Sequence, residues 1–141
     1  MKHLIAAILL SSLIETAIAY TGSAACQSCH PSQHSLWQNS HHDLAMQLPT
    51  PDTVLGDFNN ASFVYNGITT RFFRQGDQYK VRTDGEDGKL ADFTVDYVFG
   101  VYPLQQYLLP LPGGRWQALS ITWDARPAAE GGQRWYHLYP G

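Results

Sequence analysis

Cysteine, charge and basic runs are all scarce in this chain, and each shortage narrows what it can do. Its 141 residues contain two cysteines, Cys26 and Cys29. With no third thiol, the pair can serve as a redox dithiol, a lone disulfide, two ligands of a zinc ion or the anchor of a covalent cofactor. Only 15% of residues are charged, the net charge is −3 and no run of Lys or Arg occurs, which argues against a nucleic-acid partner. There is no internal repeat. No strand leads into the cysteine pair and no alternating α/β pattern surrounds it, so a thioredoxin-like exchanger lacks its usual signature. No set of acid and base side chains marks a self-contained enzyme.

What is present starts with a leader. Met1-Lys2-His3 is weakly basic, and Leu4 to Ile14 is apolar except for Ser11 and Ser12. Ala17-Ile18-Ala19 then offers a small-x-small cleavage site, so 1–19 reads as a signal peptide and the protein as periplasmic or otherwise exported. The apolar run is short for a spanning helix and Glu15 breaks its end, so a membrane role is expected only if the leader stays uncleaved.

The pentapeptide Cys26-Gln27-Ser28-Cys29-His30 names a chemistry. Thiols at i and i+3 lie on one side of a single backbone turn, so both can form thioethers to one haem. The histidine directly after the second thiol is then placed as the iron's proximal ligand. The expected cofactor is one covalent haem c, held by Cys26 and Cys29 and ligated by His30. Zinc bound by Cys26, Cys29 and two of His34, His41 and His42 satisfies the same arithmetic, but the adjacency of His30 and the exported context favour haem.

The expected fold class is α+β: a short haem-binding helical segment followed by an antiparallel β meander. A helical segment is expected over 20–50, because Pro31 suits a first helical position and His34, Trp37, His41, Leu44 and Leu48 form a stripe. Pro49 and Pro51 would stop it, and 51–61 reads as a link rich in Pro, Asn and Asp. The region 62–141 carries alternating runs at Gln78–Thr83, from Phe93 through Val95 and Tyr97 to Phe99, and from Gln117 through Leu119 and Ile121 to Trp123. Turn residues such as Asn66-Gly67 and Pro112-Gly113-Gly114 separate them. Four Trp, eight Tyr and six Phe suit either a chain wrapped on a flat cofactor or a small β domain with an aromatic core.

The iron's sixth position decides between binding small molecules and passing electrons. His34, His41, His42, Met46 and His137 are the candidates. His34 lies one turn from His30 on the same helical side, so it reads as a surface or haem-edge residue. On a straight helix neither His41 nor His42 can approach the iron from the face opposite His30, so the chain must bend near Asn39-Ser40 or the histidine must serve another haem. Met46 suits core packing better, and His137 lies among aromatics. Arg71, Arg74 and Arg82 could pair with haem propionates, although strand arginines commonly lie on solvated faces.

Trp37-x-x-Ser40-x-His42 after a CxxCH resembles the opening of multihaem c-type cytochromes. In that family the histidine of the phrase commonly acts as a distal haem ligand, which implies His42, with His41 as the alternative on the helical stripe. Thr70-Arg71-Phe72-Phe73-Arg74, Phe99-Gly100-x-x-Pro103-Leu104-Gln105-Gln106-Tyr107 and Gly131-Gly132-Gln133-Arg134-Trp135 extend the likeness over nearly all of the exported part. Together they resemble the N-terminal part of large bacterial cytochromes with further CxxCH sites and later tetratricopeptide repeats. The resemblance implies periplasmic electron transfer, redox partner proteins, and further haem-binding and tetratricopeptide-repeat regions beyond Gly141. It also leaves open a module of a multihaem oxidoreductase with one open iron. The apolar Trp135-Tyr136-x-Leu138-Tyr139 near the end is expected to await a partner surface.

Overall fold

The computed structural model describes residues 21–140, so the leader read over 1–19 lies outside the described residues. Two compact units are present, one ending at Ser35 and the other starting at Leu36. The first holds a short 3-10 turn, Ser23–Cys26, and most of a helix, α1 (Pro31–Trp37).

The second unit is built from ten strands: β1 (Met46–Gln47), β2 (Ala61–Tyr65), β3 (Ile68–Gln75), β4 (Gln78–Asp84), β5 (Leu90–Thr94), β6 (Tyr97–Phe99), β7 (Leu104–Leu111), β8 (Arg115–Ala118), β9 (Ile121–Asp124) and β10 (Arg134–His137). All pairings are antiparallel. One sheet runs β2-β3-β4-β5. The other runs β1-β6-β7-β9-β10, with β8 also on β7. The free edge of β7 is shared between two strands: Leu104 and Gln105 pair with β9, whereas Leu108 to Leu111 pair with β8.

The expected α+β fold is not found. Strands take 42% of the structure and helix 12%, which makes the fold predominantly β without an extended haem-binding helix. The cause is local and sits at Asn39 to Asp43. Asn39 adopts φ +58°, the left-handed conformation that commonly closes a helix. Asp43 Oδ2 then accepts the Asn39 N–H at 2.8 Å, and Ser40 Oγ accepts the Asp43 N–H at 3.4 Å. Short polar side chains that capture backbone donors compete with helix propagation. The residues behind them, Met46 and Gln47, are taken up as an edge strand opposite Phe99 and Val98.

The core lies between the two sheets, and its centre comes from the stretch read as a link. Phe58 is 3% exposed and meets four rings edge-on: Phe72, Tyr79, Tyr107 and Trp135, at centroid distances of 5.7, 5.1, 5.1 and 5.7 Å. Such T-shaped contacts match the positive edge of one ring to the negative face of the next. Phe72 and Trp135 stack face to face across the sheets. The tail expected to await a partner thus supplies Trp135 to the core, although Tyr139 is 74% exposed.

Other strand expectations are modified by a change of sheet. The run from Phe93 to Phe99 is not one strand. The Val95 N–H donates to Tyr79 O and the Asp96 N–H to Leu108 O, so the chain leaves one sheet and enters the other between β5 and β6. The β2–β3 hairpin turns at Asn66 and Gly67, both at positive φ, as a two-residue type I′ turn requires.

On the far end of the core, Asp124 is nearly buried and forms a bidentate pair with Arg126, Nε to Oδ1 at 2.9 Å and Nη2 to Oδ2 at 2.7 Å. Those hydrogen bonds hold the carboxyl below its usual value of 3.8 against the opposing effect of burial.

Two outcomes follow from this packing. Phe58→Ala should lower unfolding free energy by about 3–5 kcal/mol, read by urea denaturation; a loss under about 1 kcal/mol would remove Phe58 from the centre of the core. A carboxyl whose folded-state pKa is depressed adds stability above its unfolded value and loses it as pH falls. The stability difference between the parent chain and Asp124→Asn should therefore shrink as pH drops below about 4, and a gap independent of acid would contradict the ion pair's role.

Candidate functional site

The cysteine pair sits on a continuous wound segment of backbone. The Gln27 N–H donates to Ala24 O at 3.2 Å, the His30 N–H to Cys26 O at 2.9 Å and the His34 N–H to His30 O at 2.9 Å. Cys26 to His30 is therefore one closed turn that feeds into α1, with Pro31 at the first helical position where its missing N–H costs nothing. Cys26 and Cys29 are both free thiols and both exposed. The Ser28 hydroxyl lies 3.8 Å from Cys29 Sγ. His30 is exposed as well, and no Asp, Glu, Lys or Arg occurs between Thr21 and His42.

His34 departs from its expected place. Its residue is buried at 7% exposure, so it is neither a surface residue nor an open edge ligand. His41 and His42 belong to the second unit and occupy a separate turn, because α1 stops at Trp37. Ser40 caps that turn: its hydroxyl accepts from Asp43 and its carbonyl accepts the Leu44 N–H at 3.0 Å, the N-cap arrangement that favours Ser. Both histidines are exposed. The His41 ring lies 6.2 Å from that of Tyr102, tilted by 41°. The turn is tied to the β body by Gly100 N–H donating to Ala45 O at 2.7 Å and by the β1–β6 pairing. The helical-stripe relation between His30 and His41 is therefore absent, and with it the objection based on one straight rod.

The remaining candidates have other tasks or other surroundings. Met46 is 53% exposed on β1. His137 stacks on Tyr65 at 3.9 Å and 10°, and its Nδ1 accepts the Tyr139 N–H at 3.1 Å. Arg71 and Arg82 are register partners on exposed positions, Arg82 lies 3.5 Å from Asp92, and Arg74 sits 5.1 Å from the Tyr79 ring centre. Among the described residues, no three His, Cys, Asp or Glu side chains are grouped as metal ligands, and no helix is long and apolar enough to cross a membrane.

No family model, curated protein or solved structure matches the chain. The pentapeptide and its turn therefore carry the functional argument without a relative beside them.

One feature escaped the residue patterns altogether. A cleft of about 440 Å³ opens between the two sheets, floored by Thr70 and Thr83 and rimmed by Asp84 and Glu86. The alternation Tyr79-Val81-Thr83 put Thr83 on the inner face, but nothing in the spacing shows that the sheets part there.

Exposure of both sulfurs has a direct check. Two thiols per chain should react with an aromatic disulfide reagent in native buffer, at rates close to those in denaturant. Fewer than two before unfolding would show that the turn is covered.

Proposed function

We propose that the protein carries one haem c, attached through Cys26 and Cys29 with His30 on the iron, and serves in electron transfer outside the cytoplasm. The observation that supports this best is the closed turn from Cys26 to His30, with both thiols free and exposed. A macrocycle needs both sulfurs accessible from one side, and a thioether needs them unpaired with each other. The imidazole next in sequence is exposed too, ready to ligate as the macrocycle is fixed. Bound there, the haem would supply one-electron redox chemistry. The chain's part is to hold it covalently, offer an imidazole and set the polarity around it.

His42 is the proposed distal ligand, with His41 the alternative. The choice follows the Trp37-x-x-Ser40-x-His42 phrase. The Ser40-capped turn supports it by holding His42 one position before the backbone donor that Ser40 captures. Redox partner proteins are the proposed partners. The likeness to multihaem cytochromes extends the proposal to further haem-binding and tetratricopeptide-repeat regions in the same polypeptide. Export through the 1–19 leader would deliver the chain to where such attachment takes place.

Expression together with a haem-maturation system should give a red protein whose haem stain survives a denaturing gel. Cys26→Ser together with Cys29→Ser should abolish the stain. A colourless product with stoichiometric zinc would defeat the proposal. In the haem-loaded protein, His42→Ala should convert a low-spin spectrum to high-spin; an unchanged spectrum would pass the role to His41 or another group.

A further inference from the structure

We infer that the cleft between the sheets is a binding site for a small organic cation, an amine carried on an apolar body. Its size of about 440 Å³ falls within the range of ordinary small-molecule pockets. The site lies wholly within the second unit, so it stands or falls independently of haem attachment.

The walls are apolar, with Ile68, Phe93, Leu109 and Ile121 among them. The polar groups are arranged with one sense. Thr70 and Thr83 are 1% and 5% exposed, and their hydroxyls lie 2.8 Å apart. Thr83 Oγ1 donates to Asp84 Oδ1 at 3.0 Å. A hydroxyl has a single proton, so Thr70 must be the donor within the threonine pair. The chain of hydrogen bonds thus runs Thr70 to Thr83 to Asp84, and what Thr70 has left is lone pairs. Floor and rim both present acceptors.

Charge points the same way. Asp84 and Glu86 line the cleft, while no Lys or Arg does and His137 is its one basic group. Glu86 is engaged by Arg115 at 3.0 Å. Asp84 forms no ion pair among the described residues, and a carboxylate that accepts one hydroxyl proton keeps most of its acceptor capacity. An ammonium group, with three donors and no acceptor, complements this set. An anion would meet two carboxylates, and a neutral ligand would gain nothing from the charge of Asp84.

The test uses the protein itself, backbone amide NMR at neutral pH, and three probes of one shape: benzylamine, benzyl alcohol and benzoate. Benzylamine should shift the amides of Thr83 to Glu86 and of Ser120 and Ile121 saturably, more tightly than benzyl alcohol, and benzoate should leave them unmoved. Asp84→Asn should weaken benzylamine roughly three- to tenfold, the span of one hydrogen bond. Asp84→Glu, which keeps the charge, should retain binding, and Glu86→Gln should change it by less than about twofold, as befits an exposed pair. Asp84 is exposed, so these variants leave the core intact. Benzoate binding as well as benzylamine, an unaffected Asp84→Asn, or no saturable shift with benzylamine would each overturn the assignment.

Discussion

The β body depends on one side-chain amide. Gln105 is 1% exposed, and a buried amide must satisfy both ends or destabilise its surroundings. Its Oε1 accepts the Leu55 N–H at 2.8 Å and the Tyr107 hydroxyl at 2.9 Å, while its Nε2 donates to Thr53 O at 2.9 Å and Gly100 O at 3.2 Å. Tyr107 Oη in turn accepts the Gly56 N–H at 3.0 Å. Burial of that phenol raises its pKa well above the usual value, so it stays neutral and can donate. Residues 53 to 56 have no strand partner, and this network supplies the hydrogen bonds a ladder would have provided. Gly56 passes so close to the Tyr107 hydroxyl and the Trp135 ring that a Cβ there would collide with both. Seating residues 53–56 in this way leads the chain to Phe58 at the centre of the core.

The same network explains why parts of the fold were legible and others were not. β4 is readable because Tyr79, Val81 and Thr83 are buried and alternate with Gln78, Lys80, Arg82 and Asp84, which are exposed apart from the half-buried Lys80. β7, the longest central strand with β3, hides itself: its inner face is Gln105, Tyr107, Leu109, and an inward glutamine breaks the apolar-polar alternation. The strap at 53–58 reads as a link because Pro51, Asp57, Asn59 and Asn60 surround Val54, Leu55 and Phe58, and its seat comes from tertiary hydrogen bonds. The phrase Phe99-Gly100-x-x-Pro103-Leu104-Gln105-Gln106-Tyr107 was singled out only by resemblance. In the structure it contains the residues that dock the strap, together with Gly100, where φ is +87° and an added Cβ would fall 2.8 Å from Leu104 O, leaving no room for a side chain.

The candidate site divides along a similar line. The closed turn at Cys26 to His30 follows from spacing, since i and i+3 on a wound backbone need nothing distant. The histidines further on were not legible in this way. Hydrophobic periodicity carried the helix through His41 to Leu48, whereas three short polar side chains ended it. Asn39, Ser40 and Asp43 offer the backbone better local partners than another helical turn does. Periodicity counts apolar positions and is blind to a capped turn that interrupts them.

Aromatic richness, finally, says less about a cofactor than it first suggests. Phe58, Phe72, Tyr79, Tyr107, Trp123 and Trp135 pack on one another between the sheets, so these six rings belong to a β core. Folding of the second unit thus takes up the largest rings of its core, while Phe99, Tyr102, Trp116 and Tyr139 stay exposed. The proposed haem attachment rests instead on five residues of one turn, Cys26 to His30, in the other unit. The core around Phe58 is drawn entirely from residues of the second unit.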